Sequence, residues 1–401
     1  MRGLAKLSVL ISSIFLAHCG GEALSGQGGD AGADGATAVD TPATSDAPMD
    51  AGSVDPGDTG PVVGEDAGPG WVPDARSPDT PIEAPADTWT WVPFADSACG
   101  NGTPAGIGVN LHPGSRQLMV FFMGGGGCWD AATCYGLGTA EHIQDTYNDA
   151  LFRREIGSIG QAFVFNRTSQ LNPLREANWV FVPYCTGDIH GGDRVAQYQW
   201  NGRTVPTYHV GARNVDAYLR RLVRTLPTVN RVLVTGISAG GYGAGVHWSR
   251  IADAFPGARV DLVDDSGPPM APPNNRWNQW RRAWNLQLPE GCTTCTTQLE
   301  TLIDFYSRRF PSPARMALLS YTQDRTISGF YGILPAAFES GLRNLATTQF
   351  EGRANMKYFF LAGSNHVLLG NPLARGANGT TLAAFLGQML SDDPNWQSVS
   401  P

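Results

Sequence analysis

A serine flanked by glycines lies between an apolar segment and a helical pattern. Residues 232–241 read Val-Leu-Val-Thr-Gly-Ile-Ser-Ala-Gly-Gly, so Ser238 is the centre of a Gly-x-Ser-x-Gly motif. A strand that turns sharply into a helix at a serine needs small neighbours two positions away on each side, and Gly236 and Gly240 supply them. Such a turn exposes the hydroxyl for attack on a carbonyl, while the amide of Ala239 faces the developing oxyanion. The motif therefore predicts Ser238 as a nucleophile rather than part of a plain glycine-rich turn.

Four consecutive glycines, residues 124–127, directly follow the apolar residues 120–123. Glycines allow the backbone to turn its amides inward. We therefore predict Gly126 and Gly127 as oxyanion donors that act together with Ala239. A phosphate-binding loop is the alternative, but that motif continues with Gly-Lys-Ser or Gly-Lys-Thr, whereas this run continues with Cys-Trp.

A serine nucleophile also needs a base. His366 follows the last apolar segment, residues 358–361, which is where an α/β-hydrolase places its histidine. The chain order nucleophile, acid, histidine excludes the four histidines of the domain that precede Ser238, and His247 lies within the helix after the serine. We predict His366 as the base.

The acid of such a site orients the imidazole and stabilises its charged form. Asp324 follows the apolar segment 316–319 and is our first choice. Asp265 follows the preceding apolar segment, residues 260–263, and is the alternative acid.

Apolar segments and helical patterns alternate over residues 91–401, which predicts a mostly parallel sheet with helices on both faces, the α/β-hydrolase arrangement. The predicted strands are residues 118–123, 179–183, 232–235, 260–263, 316–320 and 358–361. The predicted helices are residues 210–224, 239–255, 329–350 and 380–390.

Trp277, Trp280 and Trp284 recur at helical spacing within residues 275–288, which predicts an inserted amphipathic helix. A tryptophan stripe is core more often than ligand site, but a helix in this position could also roof an active site. The same residues suggest a rival function, a non-catalytic surface protein on a hydrolase scaffold that uses them as a sugar platform.

Composition divides the 401 residues into three parts. Residues 1–18 have two basic residues before an apolar run that is too short to span a bilayer, as in a secretory signal peptide. Residues 19–90 contain fourteen acidic residues and one basic residue, and they predict a disordered Ala/Asp/Gly/Pro linker. Residues 91–401 form the predicted hydrolase domain. Its arginines are scattered rather than clustered, which argues against a nucleic-acid partner.

The segment Leu16-Ala17-His18-Cys19 resembles a bacterial lipobox, in which the cysteine is acylated and becomes the first mature residue. We therefore expect an exported protein anchored through Cys19 to the bacterial outer membrane or cell surface, or released from it if the leader is a simple signal peptide. Lipid on Cys19 leaves six of the seven cysteines, an even set that suits disulfides in an oxidising compartment.

Several motifs occur in the same order as in the pectin acetylesterase and Notum family, which the chain resembles over about residues 95–390. They are the glycine loop with Cys128 and Trp129, Tyr184-Cys185-Thr186-Gly187-Asp188, the serine elbow, Asp265-Ser266-Gly267 and Asn365-His366. The resemblance implies an α/β-hydrolase that cleaves carboxylic esters without a cofactor, through an acyl-enzyme. It implies a triad of Ser238, Asp324 and His366, with oxyanion amides at Gly126, Gly127 and Ala239.

Plant members of this family deacetylate pectin, and Notum removes a fatty acyl group from a signalling protein. The resemblance therefore implies an ester substrate. We predict an acylated carbohydrate, deacetylated at the cell surface, with a longer-chain acyl ester as the alternative. Two departures from the plant pattern lie near the predicted pocket: Gly124 replaces an acidic residue, and Pro268 and Pro269 replace two aromatic residues.

Cys128 and Cys134 are close enough in sequence to close a small loop, and Cys292 and Cys295 can pair locally, which leaves Cys99 for Cys185. Six cysteines allow many pairings, so the sequence leaves the connectivity open. A zinc site at Cys292 and Cys295 would need two further ligands that are not nearby.

Asp188, His190 and Asp193 form a polar cluster that we interpret as a hydrogen-bonded loop lining the cleft rather than as a metal site. We predict no metal, no cofactor and a monomer.

Overall fold

The computed structural model describes residue 73, residues 75–160 and residues 163–401. The predicted signal peptide, the lipidation site Cys19 and most of the predicted linker lie outside these described residues. Within the described ranges, no helix has the length and apolar character that crossing a membrane requires.

An eight-stranded sheet and a separate two-stranded hairpin make up the β-structure of the described residues. The strands are β1 (Thr90–Phe94), β2 (Ala105–Asn110), β3 (Gln117–Phe122), β4 (Asn178–Val182), β5 (Arg194–Trp200), β6 (Arg203–His209), β7 (Arg231–Ile237), β8 (Arg259–Asp265), β9 (Met316–Tyr321) and β10 (Met356–Leu361). The sheet order is β1-β2-β4-β3-β7-β8-β9-β10. From β4 to β10 neighbouring strands are parallel, while β1 and β2 pair antiparallel at one edge. The predicted, mostly parallel α/β sheet is therefore confirmed.

Helices cover both faces of this sheet because successive strand residues point to opposite sides. They are α1 (Asp149–Ile159), α2 (Gly211–Thr225), α3 (Ala239–Ala254), α4 (Arg276–Trp284), α5 (Thr301–Arg309), α6 (Arg325–Tyr331), α7 (Pro335–Leu345) and α8 (Leu382–Leu390). On one face Val234 packs in the same cluster as Trp248 of α3. On the other face Leu233 packs with Phe152 of α1 and Phe385 of α8. Burial of each such side chain contributes about 1.5–3 kcal/mol to folding.

The predicted helix over residues 329–350 is wrong, because the structure divides this segment. Helix α6 ends at Tyr331, and Gly332 follows with a left-handed φ of 67°. Helix α7 begins at Pro335, which cannot donate a helical hydrogen bond but fits the first turn. A glycine C-cap and a proline start therefore interrupt an apolar spacing that looks continuous in sequence.

The folded unit begins before residue 91, so the predicted linker ends too late. Ile82 is only 5% exposed and packs in the main core cluster. Its backbone N–H donates to Thr225 Oγ1 at 2.9 Å, and the N–H of Asp87 donates to Leu111 O. A single apolar residue among polar neighbours has no periodicity, so composition alone assigns it to the linker.

Three disulfides join the six cysteines of the described residues in the predicted pairs. They link Cys99 with Cys185, Cys128 with Cys134, and Cys292 with Cys295. The second disulfide closes the loop directly after the glycine run. The sulfurs of Cys292 and Cys295 are bonded to each other, so this pair is not a zinc site.

Candidate active site

The carboxyl ends of the parallel strands meet at one edge of the sheet, and Ser238 lies there between β7 and α3. Its φ of 58° and ψ of −123° form the strained turn of a nucleophile elbow. A Cβ at Gly236 would lie 2.2 Å from Gly240 O, and one at Gly240 would lie 2.0 Å from Phe122 O. Only glycine fits at these two positions, as the motif predicts, and Ser238 itself is 8% exposed.

Two backbone amides beside Ser238 are available to stabilise an oxyanion. Ala239 is the first residue of α3, where N–H groups have no partner within the helix and carry the positive end of its dipole. The carbonyl of Gly125 accepts the N–H of Glu141 at 2.8 Å. In a trans peptide the N–H of Gly126 points the opposite way, and no hydrogen-bond partner for it is found among the described residues.

Gly127 does not meet the prediction that it is an oxyanion donor. Its N–H donates to Thr139 O at 3.1 Å, while Thr139 Oγ1 donates to Gly127 O at 2.8 Å. This amide is therefore used to hold the loop, and Gly126 is the free donor. Thr139 belongs to no motif, so no sequence signal identified it as the residue that fixes this loop.

His366 and Asp324 form a hydrogen-bonded pair at the same edge. His366 Nδ1 donates to Asp324 Oδ2 at 2.6 Å, so Nε2 is the ring nitrogen left to face the serine. Nε2 is buried and has no hydrogen-bond partner within the described residues. No hydrogen bond joins it to Ser238 in this structure. Hydrogen bonds of this kind often form only when substrate is bound.

The carboxylate of Asp324 is fixed as well as buried. It is 0% exposed, and its second oxygen, Oδ1, accepts the N–H groups of Thr326 and Ile327 at 2.9 and 3.0 Å. Asp324 is therefore the N-cap of α6. One oxygen holds the helix and the other holds the imidazole.

Asp265, the alternative acid, makes no hydrogen bond to the His366 ring. Its Oδ2 accepts the backbone N–H groups of Leu368 and Leu369, and its Oδ1 accepts the hydroxyl of Ser266. Burial raises the pKa of Asp265 to about 6, and these hydrogen bonds oppose that rise. The imidazole is therefore paired with Asp324, the first choice from the sequence, and not with the alternative Asp265.

An apolar pocket opens beside the serine. It is lined by Gly126, Gly127, Trp129, Ile189, Ser238, Ala239, Tyr242, Trp280, Trp284, Ile327, Phe330 and Tyr331. The space free for water-sized groups is about 30 Å³, which is on the order of two water molecules. Ile189 directly follows the Tyr184–Asp188 motif and Phe330 follows Asp324 by six residues, but no sequence signal marks either residue as part of the pocket wall.

Helix α4 roofs this pocket. Trp280 stacks on Trp284 with ring centroids 5.6 Å apart and contacts Trp129 at 5.3 Å. Trp284 Nε1 donates to Cys128 O at 2.6 Å, and this hydrogen bond joins α4 to the residue that follows the glycine loop. Trp277, Trp280 and Trp284 are all at most 5% exposed. They serve as core and pocket wall, and they do not present a flat face to solvent as a sugar platform would.

The polar cluster at residues 188–193 is held by hydrogen bonds, one of which goes to the residue directly before the glycine loop. Buried Asp188 accepts the N–H groups of Gly192 and Gly211. His190 Nε2 donates to Met123 O at 2.8 Å, and burial lowers the pKa of His190 to about 4, so the ring is neutral. Asp193 pairs with Arg213. Each member has its own protein partner, which favours the predicted hydrogen-bonded loop. None of the three residues lines the pocket beside Ser238, so the predicted place of this cluster in the cleft is wrong.

One group in the described residues brings three metal-ligating atoms together: Cys128, Cys134 and His209. Both sulfurs are consumed by the disulfide between the two cysteines. His209 Nδ1 donates to Thr186 O at 2.7 Å, and Nε2 lies 3.1 Å from Tyr198 Oη. These atoms therefore have covalent or hydrogen-bond partners, and the group does not fit a metal.

Comparison with known proteins agrees with this geometry. The model of the pectinacetylesterase family matches residues 89–287, which include the glycine loop and Ser238. A zebrafish (Danio rerio) protein named inactive palmitoleoyl-protein carboxylesterase notum1b is 32% identical over 126 residues, which cover 29% of this chain and 76% of that protein. The chain belongs to the pectin acetylesterase/Notum family.

More distant members of the pectin acetylesterase/Notum family match longer segments. Palmitoleoyl-protein carboxylesterase NOTUM of Drosophila melanogaster is 27% identical over 217 residues, covering 49% of this chain and 31% of that protein. The human (Homo sapiens) NOTUM is 26% identical over 182 residues, covering 42% of this chain and 34% of that protein. The chain thus spans about a third of the length of these two relatives. Asp324 and His366 lie beyond the family-model match, so their roles rest on the geometry.

Proposed function

We propose that this protein is a serine carboxylic ester hydrolase that works through an acyl-enzyme. One observation carries the proposal: an elbow serine, two unpaired amides and a histidine hydrogen-bonded to a buried aspartate occupy the same edge of the sheet. One relative has "inactive" in its name, so family membership alone does not establish activity. The residues of this chain support it.

In the proposed mechanism Ser238 Oγ attacks the ester carbonyl carbon, and His366 Nε2 accepts the hydroxyl proton. The carbonyl oxygen becomes an oxyanion that accepts hydrogen bonds from the amides of Gly126 and Ala239. The tetrahedral intermediate then expels the alcohol, which takes the proton from His366. A water molecule repeats the sequence on the acyl-enzyme, with Asp324 stabilising the charged imidazole in both halves.

An acetyl ester of a polysaccharide such as pectin is the substrate class we propose. The free space of about 30 Å³ beside Ser238 is close to the size of a methyl group, so a longer acyl chain would have to displace the aromatic wall or follow the open side of the pocket. Aromatic rings of Trp280, Trp284 and Phe330 close it on the sides. We expect hydrolysis of aryl acetates to exceed that of butyrate and longer esters, and Phe330→Ala to extend the range towards longer chains. Faster hydrolysis of long-chain esters by the unaltered protein would favour the Notum-like alternative.

The test of activity compares the full chain with Ser238→Ala on a soluble aryl acetate. Ser249→Ala is the matched control, because Ser249 is another buried serine further along α3. Turnover by the unaltered protein and by the control, with none by Ser238→Ala, would support the mechanism. Comparable turnover by Ser238→Ala would refute it. Carbohydrate binding without consumption of any ester would favour the non-catalytic alternative.

We also propose export and lipid anchoring through Cys19, on the strength of the leader sequence alone. Fractionation of cells that express the full chain should place it in the membrane. Cys19→Ser should release it or block its maturation. A membrane fraction that is unchanged by this substitution would contradict lipidation at Cys19.

A further inference from the structure

The loop that carries His366 has an unusual backbone. Val367 directly follows the histidine and has φ of 61°, although a β-branched residue strongly disfavours positive φ. Ser266, at the end of β8, has φ of 63°, and Ser238 has φ of 58°. Strained residues persist only where the surrounding structure holds them, so these three neighbouring turns need an anchor.

Asp265 supplies contacts to all three turns. Its backbone carbonyl accepts the N–H of Ser238 at 2.8 Å. Its Oδ2 accepts the N–H groups of Leu368 and Leu369 at 2.6 and 2.7 Å, just after the histidine. Its Oδ1 accepts the hydroxyl of Ser266 at 2.9 Å, and Ser266 Oγ in turn accepts the N–H of Val367 at 3.2 Å.

These contacts join the nucleophile to the base through one residue. Asp265 lies at the end of β8, the strand between β7, which carries Ser238, and β9, which precedes Asp324. It is 0% exposed, as are Ser266 and Leu368. Hydrogen bonds to an ionised carboxylate in such surroundings are short and strong, and three consecutive backbone amides of the histidine loop are satisfied by two side chains.

We propose that Asp265 is a positioning residue that fixes the His366 loop relative to Ser238. It does not contact the imidazole, and it acts through the backbone of residues 367–369. This inference rests on the proposed esterase function, which it deepens. The second aspartate of the site thus has a role distinct from that of Asp324, which holds the ring itself.

The test uses the full chain and the substitutions Asp265→Ala and Asp265→Asn. Displacement of a catalytic group by about 1 Å costs about 10²-fold in rate, so we expect Asp265→Ala to lower kcat for an aryl acetate by about 10- to 100-fold. KM should change little, because the acyl pocket does not include this loop. Asp265→Asn should recover much of the loss, because its amide oxygen can still accept both N–H groups.

Asp261→Ala is the matched control. Asp261 is equally buried on the same strand, but it lies near the start of β8, away from Ser238, and pairs with Arg231 and Arg259. We expect this variant to be less stable but to keep its kcat per folded molecule. If Asp265→Ala does not fold, Ser266→Ala takes its place, because it removes the partner of Val367 and should lower kcat in the same direction.

Hydrogen exchange separates failure of this inference from failure of the esterase proposal. In the unaltered protein the amides of Leu368 and Leu369 should be protected, and Asp265→Ala should remove that protection whether or not the protein hydrolyses esters. Equal kcat in the unaltered protein and Asp265→Ala, or protection that persists in the variant, would overturn the inference. Absence of turnover in the unaltered protein would instead refute the proposed function.

Discussion

Replacing Gly126 by alanine should disable the oxyanion site while leaving the fold intact. Gly126 has φ of 75°, and a Cβ there would lie 2.1 Å from Thr139 O and 3.0 Å from Phe330 Cζ. Thr139 O is a backbone atom that already accepts the N–H of Gly127, and the N–H of Thr139 donates to Thr133 O. Because this oxygen cannot move away, the glycine loop must move instead, and the amide of Gly126 moves with it.

The expected magnitude follows from the loss of one oxyanion donor. Such a loss lowers kcat by about 10²- to 10³-fold, which is about 2.7–4 kcal/mol of transition-state stabilisation. The alanine adds a stability cost of about 1–2 kcal/mol for the left-handed backbone, beyond the steric clash. Steady-state hydrolysis of an aryl acetate measures the first effect, and thermal unfolding followed by circular dichroism measures the second.

Gly138→Ala is the matched control for Gly126→Ala. Gly138 lies in the same loop region, has φ of 64°, and a Cβ there would meet no atom within 4 Å. Both variants therefore carry the backbone strain, but only Gly126→Ala carries the clash. We expect Gly138→Ala to lose some stability and to keep its kcat. Similar kcat values for the two variants would refute the assignment of Gly126 as an oxyanion donor.

Three further predictions concern the acid, a buried histidine and the disulfides. Asp324→Asn should keep the helix cap yet lower kcat by about 10⁴-fold. Asp324→Ala should show the same loss of kcat and should in addition lose about 0.5–2 kcal/mol of stability, because the cap is removed. A kcat for Asp324→Asn close to that of the unaltered protein would contradict the role of this carboxylate. Burial lowers the pKa of His209 from 6.5 to about 4, so the unfolded chain binds a proton first as the pH falls. Relative to His209→Gln, the unaltered protein should therefore lose up to about 1.4 kcal/mol of unfolding free energy per pH unit between pH 6.5 and 4. A difference that is constant from pH 7 to 5 would exclude this linkage. Cys99 and Cys185 are 86 residues apart, so removal of their disulfide should lower the free energy of unfolding by about 4–5 kcal/mol through loop entropy. Removal of the disulfide between Cys292 and Cys295 should lower it by about 1–2 kcal/mol. Denaturant titration that gives the reverse order would contradict this ranking.

Local motifs predicted the parts of the site that depend on local geometry. Ser238 with its flanking glycines is fixed by the close approach of Gly236 and Gly240 to neighbouring backbone, so the sequence signal and the physical requirement coincide. The parallel strands were also predictable, because strands buried on both faces form short apolar segments. The hairpin β5–β6 was not, because most of its residues are exposed or partly buried and it carries no apolar segment.

The features that the sequence did not resolve depend on contacts between distant segments. Asp265 ends β8 and Asp324 closely follows β9. The sequence ranked Asp324 first and kept Asp265 as the alternative, and the position of the His366 ring decides between them. Gly126 and Gly127 are identical in type, and the N–H of Gly127 is engaged only because Thr139 folds back on the loop. The early start of the domain depends on Ile82 meeting α2, which lies far along the chain.

The most direct test of the proposed mechanism is to identify the residue that becomes acylated. The full chain can be mixed with an aryl acetate, quenched with acid during turnover and digested for mass spectrometry, with a serine-reactive aryl phosphonate as a second label. We expect one acetyl or phosphonyl group on Ser238 of the unaltered protein and none on the corresponding peptide of Ser238→Ala. Turnover without any adduct on Ser238, or an adduct on another residue that persists in Ser238→Ala, would contradict the account.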